Sequence, residues 1–388
     1  MEASQAMEQA SMLRQYLSFG FVPDPEIASE YLHEMLSGPV PPEADPSKLL
    51  IEIVADLTAG AREVVIPLSG GRDSRALLGA ALHAFPKGKI HCITFGSEGS
   101  EDVEGARIAC RAARVSHQLI NPDTLAWNLE ELTDQMERRL ADRAGIPPID
   151  GMLVFGKLAE LIAPEVPVLS GYLGIVAVGK HLGVGALEND DDVLARFLAQ
   201  NRAVVDDRSS HPFREFLEFH EPMRRNWPGL AKFDLLDLGF RQRLRIRSSV
   251  TGSFRKPVRP YEDRRWAGHW YSKPVAERIN YPRYDGLLAE AFPVIFGRQP
   301  IFSRVRRWRA RRRGRGVYRG DPRQNPSMAA ALEDACRSIG ERDSSLGGSA
   351  MAAFTRLMQE PSLTSFRTVR WFATAEILAR AQERVSAA

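Results

Sequence analysis

Six consecutive residues of this sequence have the composition of a binding site for a phosphate-like anion. They are Ser69–Ser74, which read Ser-Gly-Gly-Arg-Asp-Ser, and they follow the apolar run Val64–Leu68, which predicts a strand. Helix-forming residues begin directly after them. The pair Gly70 and Gly71 lets the backbone approach an anion closely, and the N–H groups that open the helix then face that anion with the positive end of the helix dipole.

Three side chains of the same turn support this interpretation. Ser69 and Ser74 add hydroxyl donors, and Asp73 can hold the magnesium ion that accompanies a pyrophosphate. The turn is not a Walker A motif, because the pattern Gly-x-x-x-x-Gly-Lys-Ser/Thr is missing here. The alternative is a serine-glycine turn that only caps a helix. The position between a predicted strand and a predicted helix favours the anion site.

The turn belongs to a series in which short apolar runs alternate with helical patterns. The runs predict strands at Val64–Leu68, Ile90–Phe95, His117–Ile120 and Val166–Leu169. Such alternation is typical of an α/β fold, a parallel sheet with helices on both faces, in which ligands bind at the carboxyl ends of the strands. Beyond about residue 185 the pattern is helical, without clear strands. We therefore expect a helical lead-in at 1–60, an α/β nucleotide-binding core at 61–185 and a mainly helical part at 186–388.

The composition is that of an ordinary globular protein. The chain has 388 residues, of which 44% are hydrophobic and 26% are charged, and its net charge is +3. This charge balance demands neither a nucleic-acid nor a membrane partner. Three cysteines without a Cys-x-x-Cys pair argue against a disulfide framework and against a cysteine-built zinc site. With no signal-peptide pattern and no apolar run of membrane-spanning length, the sequence predicts a soluble, cytoplasmic protein.

The densest charge of the sequence lies at Arg304–Arg319. This segment contains nine arginines, with Trp308 and Tyr318 among them. Two interpretations stay open. One is a solvated face or disordered segment, and the other is a binding surface for nucleic acid or another anionic partner.

The turn carries the Ser-Gly-Gly-x-Asp-Ser signature of the PP-loop ATP pyrophosphatases. Around it the chain resembles the synthetase domain of class B asparagine synthetases and of their relatives, the β-lactam synthetases and the lasso-peptide cyclases. The supporting segments are Tyr16–Pro25, Thr94–Gly96, Ser100–Asp102, Val168–Gly171 and Pro260–Asp263. This resemblance implies an adenine nucleotide alpha hydrolase-like fold.

The resemblance also implies a reaction and its cofactors, ATP and magnesium. A small-molecule or peptide carboxylate would attack the α-phosphate of ATP, and ammonia or another amine would convert the acyl-adenylate to an amide with release of AMP. The residues implied at the pyrophosphate and magnesium are Ser69, Gly70, Gly71, Asp73 and Ser74. Those implied around the adenosine are Leu68, Phe95, Ser170 and Gly171. Two alternatives stay open, a tRNA-modifying ligase of the same superfamily and a degenerate nucleotide-binding scaffold.

Two positions depart from the family's pattern in ways that bear on the amine. Glu2 stands where the family's glutaminase nucleophile would be a cysteine, so we expect no glutaminase domain and an amine from solution or a separate protein. Tyr172 replaces an acid of the second nucleotide loop. A tyrosine here is what β-lactam synthetases use in proton transfer, which makes Tyr172 a catalytic candidate with Glu262 as its partner. The alternative is that Tyr172 is only a wall residue.

Two further departures bear on charge. Ile175 replaces a second acid of the same loop, which leaves Asp73 as the one predicted metal ligand. The family's late catalytic lysine has no counterpart in this sequence. Arg298 is the candidate for its electrostatic role, since an arginine supplies positive charge but cannot donate a proton at neutral pH.

Overall fold

The computed structural model of the protein describes residues 2–37, 45–143, 145–182, 189–205, 211–279, 281–297, 321–360 and 363–387. The helices up to the sheet's fourth strand are α1 (Glu2–Phe19), α2 (Pro25–Leu36), α3 (Pro46–Leu57), α4 (Arg72–Ala84), α5 (Glu101–Ala113), α6 (Leu129–Ala141) and α7 (Ile149–Glu160). The strands are β1 (Val64–Pro67), β2 (Ile90–Phe95), β3 (Ser116–Ile120), β4 (Val168–Leu169) and β5 (Pro257–Val258).

The part of the chain after β4 is mainly helical. Its first helices are α8 (Gly174–Ala177), α9 (Asp190–Gln200), α10 (His211–Arg225), α11 (Lys232–Leu236) and a π-helix at Asp237–Arg247. These are followed by α12 (Ser248–Thr251), α13 (Arg264–Tyr271), α14 (Val275–Arg278), α15 (Tyr281–Ala291) and α16 (Pro293–Phe296). The last three are α17 (Pro326–Arg342), α18 (Ser344–Gln359) and α19 (Leu363–Ala387). Short 3-10 helices occur at Lys87–Lys89, Pro122–Thr124, Lys180–Leu182 and Pro260–Glu262.

The five strands in the described part of the chain are parallel and form one sheet in the order β3-β2-β1-β4-β5. β1 lies in the middle, where Val65 is the register partner of His91 in β2 and of Val168 in β4. Helices connect the strands, as each crossover between parallel neighbours requires. The predicted α/β class is confirmed, and so is the helical character of the second half.

The expectation of no strand beyond residue 185 is wrong at one place. β5 pairs in parallel with β4, with Val168 beside Pro257 and Leu169 beside Val258. Two residues are too few to show a period-two pattern, and Pro257 is a poor strand former, so no local signal predicts this strand. It exists because β4 offers an unpaired edge from a distant part of the chain.

The lead-in helices pack into two different apolar clusters. Tyr31 of α2 and Leu50 of α3 are buried with the sheet residue Ile66. Tyr16 of α1 is buried with the C-terminal helices, with its ring centroid 5.6 Å from that of Trp371. The division into 1–60, 61–185 and 186–388 stays a prediction. None of the described helices combines the length and the apolar content that a membrane span requires.

Candidate active site

The segments after β1, β2 and β4 surround a cavity of about 620 Å³ at the carboxyl ends of these strands. Most of the residues that the sequence nominates for nucleotide binding line this cavity together: Leu68, Ser69, Gly71, Asp73, Ser74, Phe95, Ser170 and Gly171. Tyr172, the candidate for proton transfer, lines it too. The topology produces this arrangement, because parallel strands bring the loops that follow them to one edge of the sheet.

Hydrogen bonds within the first turn fix its two serines. The Ser69 N–H donates to Ser74 Oγ over 3.1 Å, and the two hydroxyl oxygens are 3.1 Å apart. The Gly71 N–H donates to Ser69 Oγ over 3.1 Å, and Gly71 is the N-cap residue of α4. A glycine has no side chain with which to cap a helix. The first N–H groups of α4 therefore receive no hydrogen bond from the N-cap side chain and can bind an anion.

Gly70 packs backbone against backbone on α5. A Cβ at Gly105 would lie 2.4 Å from Gly70 Cα, and a Cβ at Gly70 would lie 2.9 Å from the carbonyl oxygen of Glu101. The Gly70 N–H also donates to Asp102 Oδ1 over 3.2 Å. Gly70 itself does not line the cavity, unlike the other nominated residues of this turn. Its close contact with α5 is therefore a second reason for glycine here.

The Asp73 carboxylate is buried between the first turn and the segment after β4. Its Oδ2 accepts a hydrogen bond from the Ile175 N–H over 2.9 Å, whereas its buried Oδ1 has no hydrogen-bond partner among the described residues. Burial raises the pKa of Asp73 to about 7, and the positive charges of Lys180 and Arg72 offset this only in part. A cation at Oδ1 would favour the ionised carboxylate.

These features fit the magnesium ion that the sequence predicts. Magnesium is commonly held by one or two carboxylates together with phosphates and waters. Asp73 supplies the buried Oδ1, and Asp102 is a second carboxylate at the cavity wall. The described part of the chain contains no group of three or more histidine, cysteine or acidic side chains that could hold a metal by itself. Phosphate oxygens would therefore have to complete the coordination.

Two tyrosines and a glutamate form a hydrogen-bonded chain that starts at the cavity. Tyr172 is buried at the cavity wall, and its hydroxyl oxygen is 3.3 Å from that of Tyr31 in α2. The Tyr31 hydroxyl donates to Glu262 Oε1 over 2.9 Å. Burial raises the pKa of both tyrosines well above the usual value, so both are neutral at pH 7. The sequence nominates Tyr172 and Glu262 as direct partners, and the structure joins them through Tyr31 instead.

Arginines hold Glu262 at the far end of this chain. Arg247 Nε lies 3.0 Å from Glu262 Oε1, and Arg259 Nε pairs with Oε2. Arg247 also lies over the Tyr31 ring, with its guanidinium carbon 5.4 Å from the ring centroid. Glu262 does not line the cavity. It can act on a bound molecule only through the tyrosines.

Sequence reasoning misses three side chains of this region, Tyr31, Lys180 and Arg241. Lys180 and Arg241 line the cavity, and Arg241 Nη1 bonds Asp237 Oδ1 over 3.0 Å. Tyr31 and Arg241 belong to no motif, so only the packing of their helices reveals them. Lys180 has one usable signal, which is that it follows the second nucleotide loop closely in sequence.

Two sequence candidates cannot be placed in this site. Arg298 and the basic run Arg304–Arg319 lie outside the described residues. The electrostatic role of Arg298 stays a prediction, as does each interpretation of the basic run.

A comparison with known families agrees with the geometry. Residues 47–152 match the family model described as asparagine synthase. This match runs from α3 through the first turn and α5 to α7, so it covers the anion-binding turn but ends before the second loop. It supports an asparagine synthetase-like synthetase domain. A comparison with curated proteins found no match.

Proposed function

We propose that this chain, whose residues 47–152 carry an asparagine synthetase-like synthetase domain, is an AMP-forming amide ligase. It would adenylate a carboxylate with ATP and transfer the acyl group to ammonia or another amine. The observation that carries this proposal is the convergence of the turn after β1 and the loop after β4 on one cavity, with the Asp73 carboxylate buried between them. At about 620 Å³ the cavity lies in the usual size range of small-molecule sites.

The walls of the cavity suit the two ends of a nucleotide. Leu68 and Phe95 offer apolar surface for the adenine, and Ser170 and Gly171 approach it from the opposite loop. The first N–H groups of α4 and the hydroxyls of Ser69 and Ser74 offer donors for the phosphates. Magnesium, when bound at Asp73, supplies positive charge that stabilises the leaving pyrophosphate.

Lys180 would add charge at the same place. It lines the cavity, and its positive charge acts on the Asp73 carboxylate. An ammonium group here favours the charge that develops when a carboxylate oxygen bonds to the α-phosphorus and the bond to pyrophosphate breaks. Lys180 is thus our candidate for the electrostatic role that the sequence assigns to Arg298.

The hydrogen-bonded series Tyr172, Tyr31 and Glu262 would serve the second half-reaction, in which the amide forms. The amine nitrogen attacks the acyl carbon, and the bond between that carbon and the AMP oxygen breaks. The amine must lose a proton in this step. Tyr172 can accept it as its own proton moves to Tyr31 and the proton of Tyr31 moves to Glu262 Oε1, in the direction in which Tyr31 already donates.

Carboxylate-dependent exchange of label between pyrophosphate and ATP tests the adenylation half-reaction. We expect exchange that needs magnesium and one class of carboxylate in a panel. ATP binding without exchange, with every carboxylate, would instead identify a nucleotide-binding scaffold. Pyrophosphate release that requires RNA would indicate the tRNA-modifying alternative.

The variant Tyr31→Phe tests the amide-forming half-reaction, because it interrupts the proton path and keeps Tyr172 and Glu262. We expect pyrophosphate exchange near the wild-type rate and a loss of about 100-fold or more in amide formation, the usual size of a general-base contribution. Tyr271→Phe is the matched control, since the buried Tyr271 hydroxyl has no hydrogen bond to a described residue. Equal amide formation by Tyr31→Phe and wild type would contradict the proton path.

A further inference from the structure

His181 lies at the wall of the cavity and is held there by a buried carboxylate. Its Nε2 is 2.7 Å from Oδ1 of Asp234 in α11, and the His181 side chain is only 11% exposed. The other ring nitrogen, Nδ1, is buried and has no hydrogen-bond partner among the described residues. A buried polar atom without a partner is costly, so its presence at a cavity calls for an explanation.

The surroundings of Asp234 decide which nitrogen of His181 carries a proton. Arg278 is fully buried, and its Nη1 donates to Asp234 Oδ2 over 2.8 Å. The Ala231 N–H donates to the same oxygen over 2.8 Å. Burial acts to raise the pKa of Asp234, but the charge of Arg278 and the hydrogen bond from His181 hold it below its ordinary value. An ionised carboxylate only accepts hydrogen bonds, so His181 Nε2 is the donor, and in the neutral ring Nδ1 carries a lone pair.

Cations near His181 act against this carboxylate. Arg196 donates to the carbonyl oxygen of His181 over 2.8 Å, Lys180 is its neighbour in sequence, and Arg241 lies on the same cavity wall. These cations oppose a proton on Nδ1. Asp234 favours that proton, because the hydrogen bond from Nε2 becomes stronger when the ring is positive. The two effects together suit a base that takes up a proton and releases it again.

The proposed amide formation releases two protons, and the route through Tyr172 takes only one. At neutral pH an amine of ordinary basicity is an ammonium ion, which has no lone pair with which to attack. Its first proton must leave before the bond to the acyl carbon forms, and the second leaves as that bond forms. The titratable residues on the described cavity wall are Asp73, Asp102, Tyr172, Lys180, His181 and Arg241. The aspartates belong to the magnesium site, and the lysine and arginine are already charged, so His181 is the base that remains.

We propose that His181 takes the first proton, and hence that the nitrogen substrate enters the cavity as a cation, either ammonium or a protonated primary amine. This deepens the proposed function and rests on it. An N–H bond of the cation breaks, its electron pair stays on the substrate nitrogen, and a new N–H bond forms at His181 Nδ1. The neutral amine then attacks the acyl carbon, and AMP leaves with the electrons of the C–O bond. The second proton passes from Tyr172 towards Glu262, and the imidazolium returns its proton to water.

Two nucleophiles of similar size separate this role from a structural one. Ammonia is mostly protonated at pH 7, whereas hydroxylamine is mostly neutral and needs no first base. In His181→Gln the side-chain amide can still donate to Asp234 but cannot take up a proton. We expect the ratio of amide to hydroxamate formed by this variant at pH 7 to be about 100-fold lower than in wild type, the usual size of a general-base contribution.

His211→Gln is the matched control. His211 Nδ1 also lies near a carboxylate, 3.4 Å from Glu215 Oε2, but His211 does not line the cavity, so this variant should keep the wild-type ratio. If His181→Gln does not fold, His181→Asn decides, because its amide is equally unable to take up a proton and the same fall is expected. An unchanged ratio in the folded His181 variant, or an equal fall in the control, would overturn the proposal. So would a wild type that forms the hydroxamate but no amide from ammonium.

Pyrophosphate exchange by wild type distinguishes failure of this proposal from failure of the proposed function. Exchange together with an unchanged product ratio would leave the ligase standing and refute the role of His181. Exchange with neither product would leave adenylation standing and refute ammonium as the nitrogen substrate. The absence of exchange and of both products would refute the ligase, and the role of His181 with it.

Discussion

Replacing Asp73 with asparagine should stabilise the protein in the absence of ligands and abolish its response to magnesium and ATP. The reason is the cost of a buried charge. The pKa of Asp73 rises from 3.8 to about 7 in the folded protein, mainly through burial. Asparagine carries no charge at any pH, and its amide oxygen can still accept the hydrogen bond from the Ile175 N–H.

The pH dependence follows from proton linkage. Below pH 3.8 the carboxyl is protonated in the folded and the unfolded chain, so it costs nothing. Between pH 3.8 and about 7 the folded protein keeps a proton that the unfolded chain loses, so wild-type stability falls as the pH rises. The slope is about 1.4 kcal/mol for each pH unit, and the full cost above pH 7 is about 4 kcal/mol.

Urea unfolding of wild type and Asp73→Asn at pH 5, 6, 7 and 8, without magnesium or nucleotide, measures this directly. We expect the free energy of unfolding of wild type, relative to the variant, to fall by about 2 kcal/mol between pH 5 and pH 7 and then to level off. Asp142→Asn, at an exposed aspartate, is the control and should run parallel to wild type. A difference between wild type and Asp73→Asn that is independent of pH would refute the reasoning.

Wild type and Asp73→Asn also test whether Asp73 is needed for the binding of magnesium with ATP. Magnesium with ATP should raise the unfolding free energy of wild type, because a ligand that binds only the folded state stabilises it by mass action. Asp73→Asn should show little of this increase. An equal increase in both proteins would place the metal away from Asp73.

Two further predictions concern the neighbours of this carboxylate. Gly105→Ala should destabilise the protein by about 1–3 kcal/mol in urea unfolding and weaken ATP binding, because its Cβ would meet Gly70 Cα at 2.4 Å. Gly88→Ala, with no atom within 4 Å of its added Cβ, should be nearly neutral, and equal effects of the two would argue against a tight contact between the turn and α5. Ile175→Asp should lower the magnesium concentration at half-maximal ATP binding, since Ile175 lies beside Asp73 and lines the cavity. A magnesium titration measures this midpoint. An unchanged midpoint would mean that the side chain at position 175 points away from the metal.

The sequence by itself determined the first nucleotide turn and the strands around it. In Ser69–Ser74 the glycines, hydroxyls and acid are contiguous, and their function depends on a strand before them and a helix after them, both of which are local patterns. The alternation of strands and helices also predicts that Phe95 and Gly171 lie at the same cavity as this turn, because parallel strands share a carboxyl edge.

Only the tertiary structure decided the connections between distant segments and the charge state of the site. Tyr31 stands between Tyr172 and Glu262 because helix α2 packs there, at separations of 141 and 231 residues that no local pattern reports. The raised pKa of Asp73 is likewise invisible in the sequence. It depends on burial and on the distances to other charges, which exist only once the chain has folded.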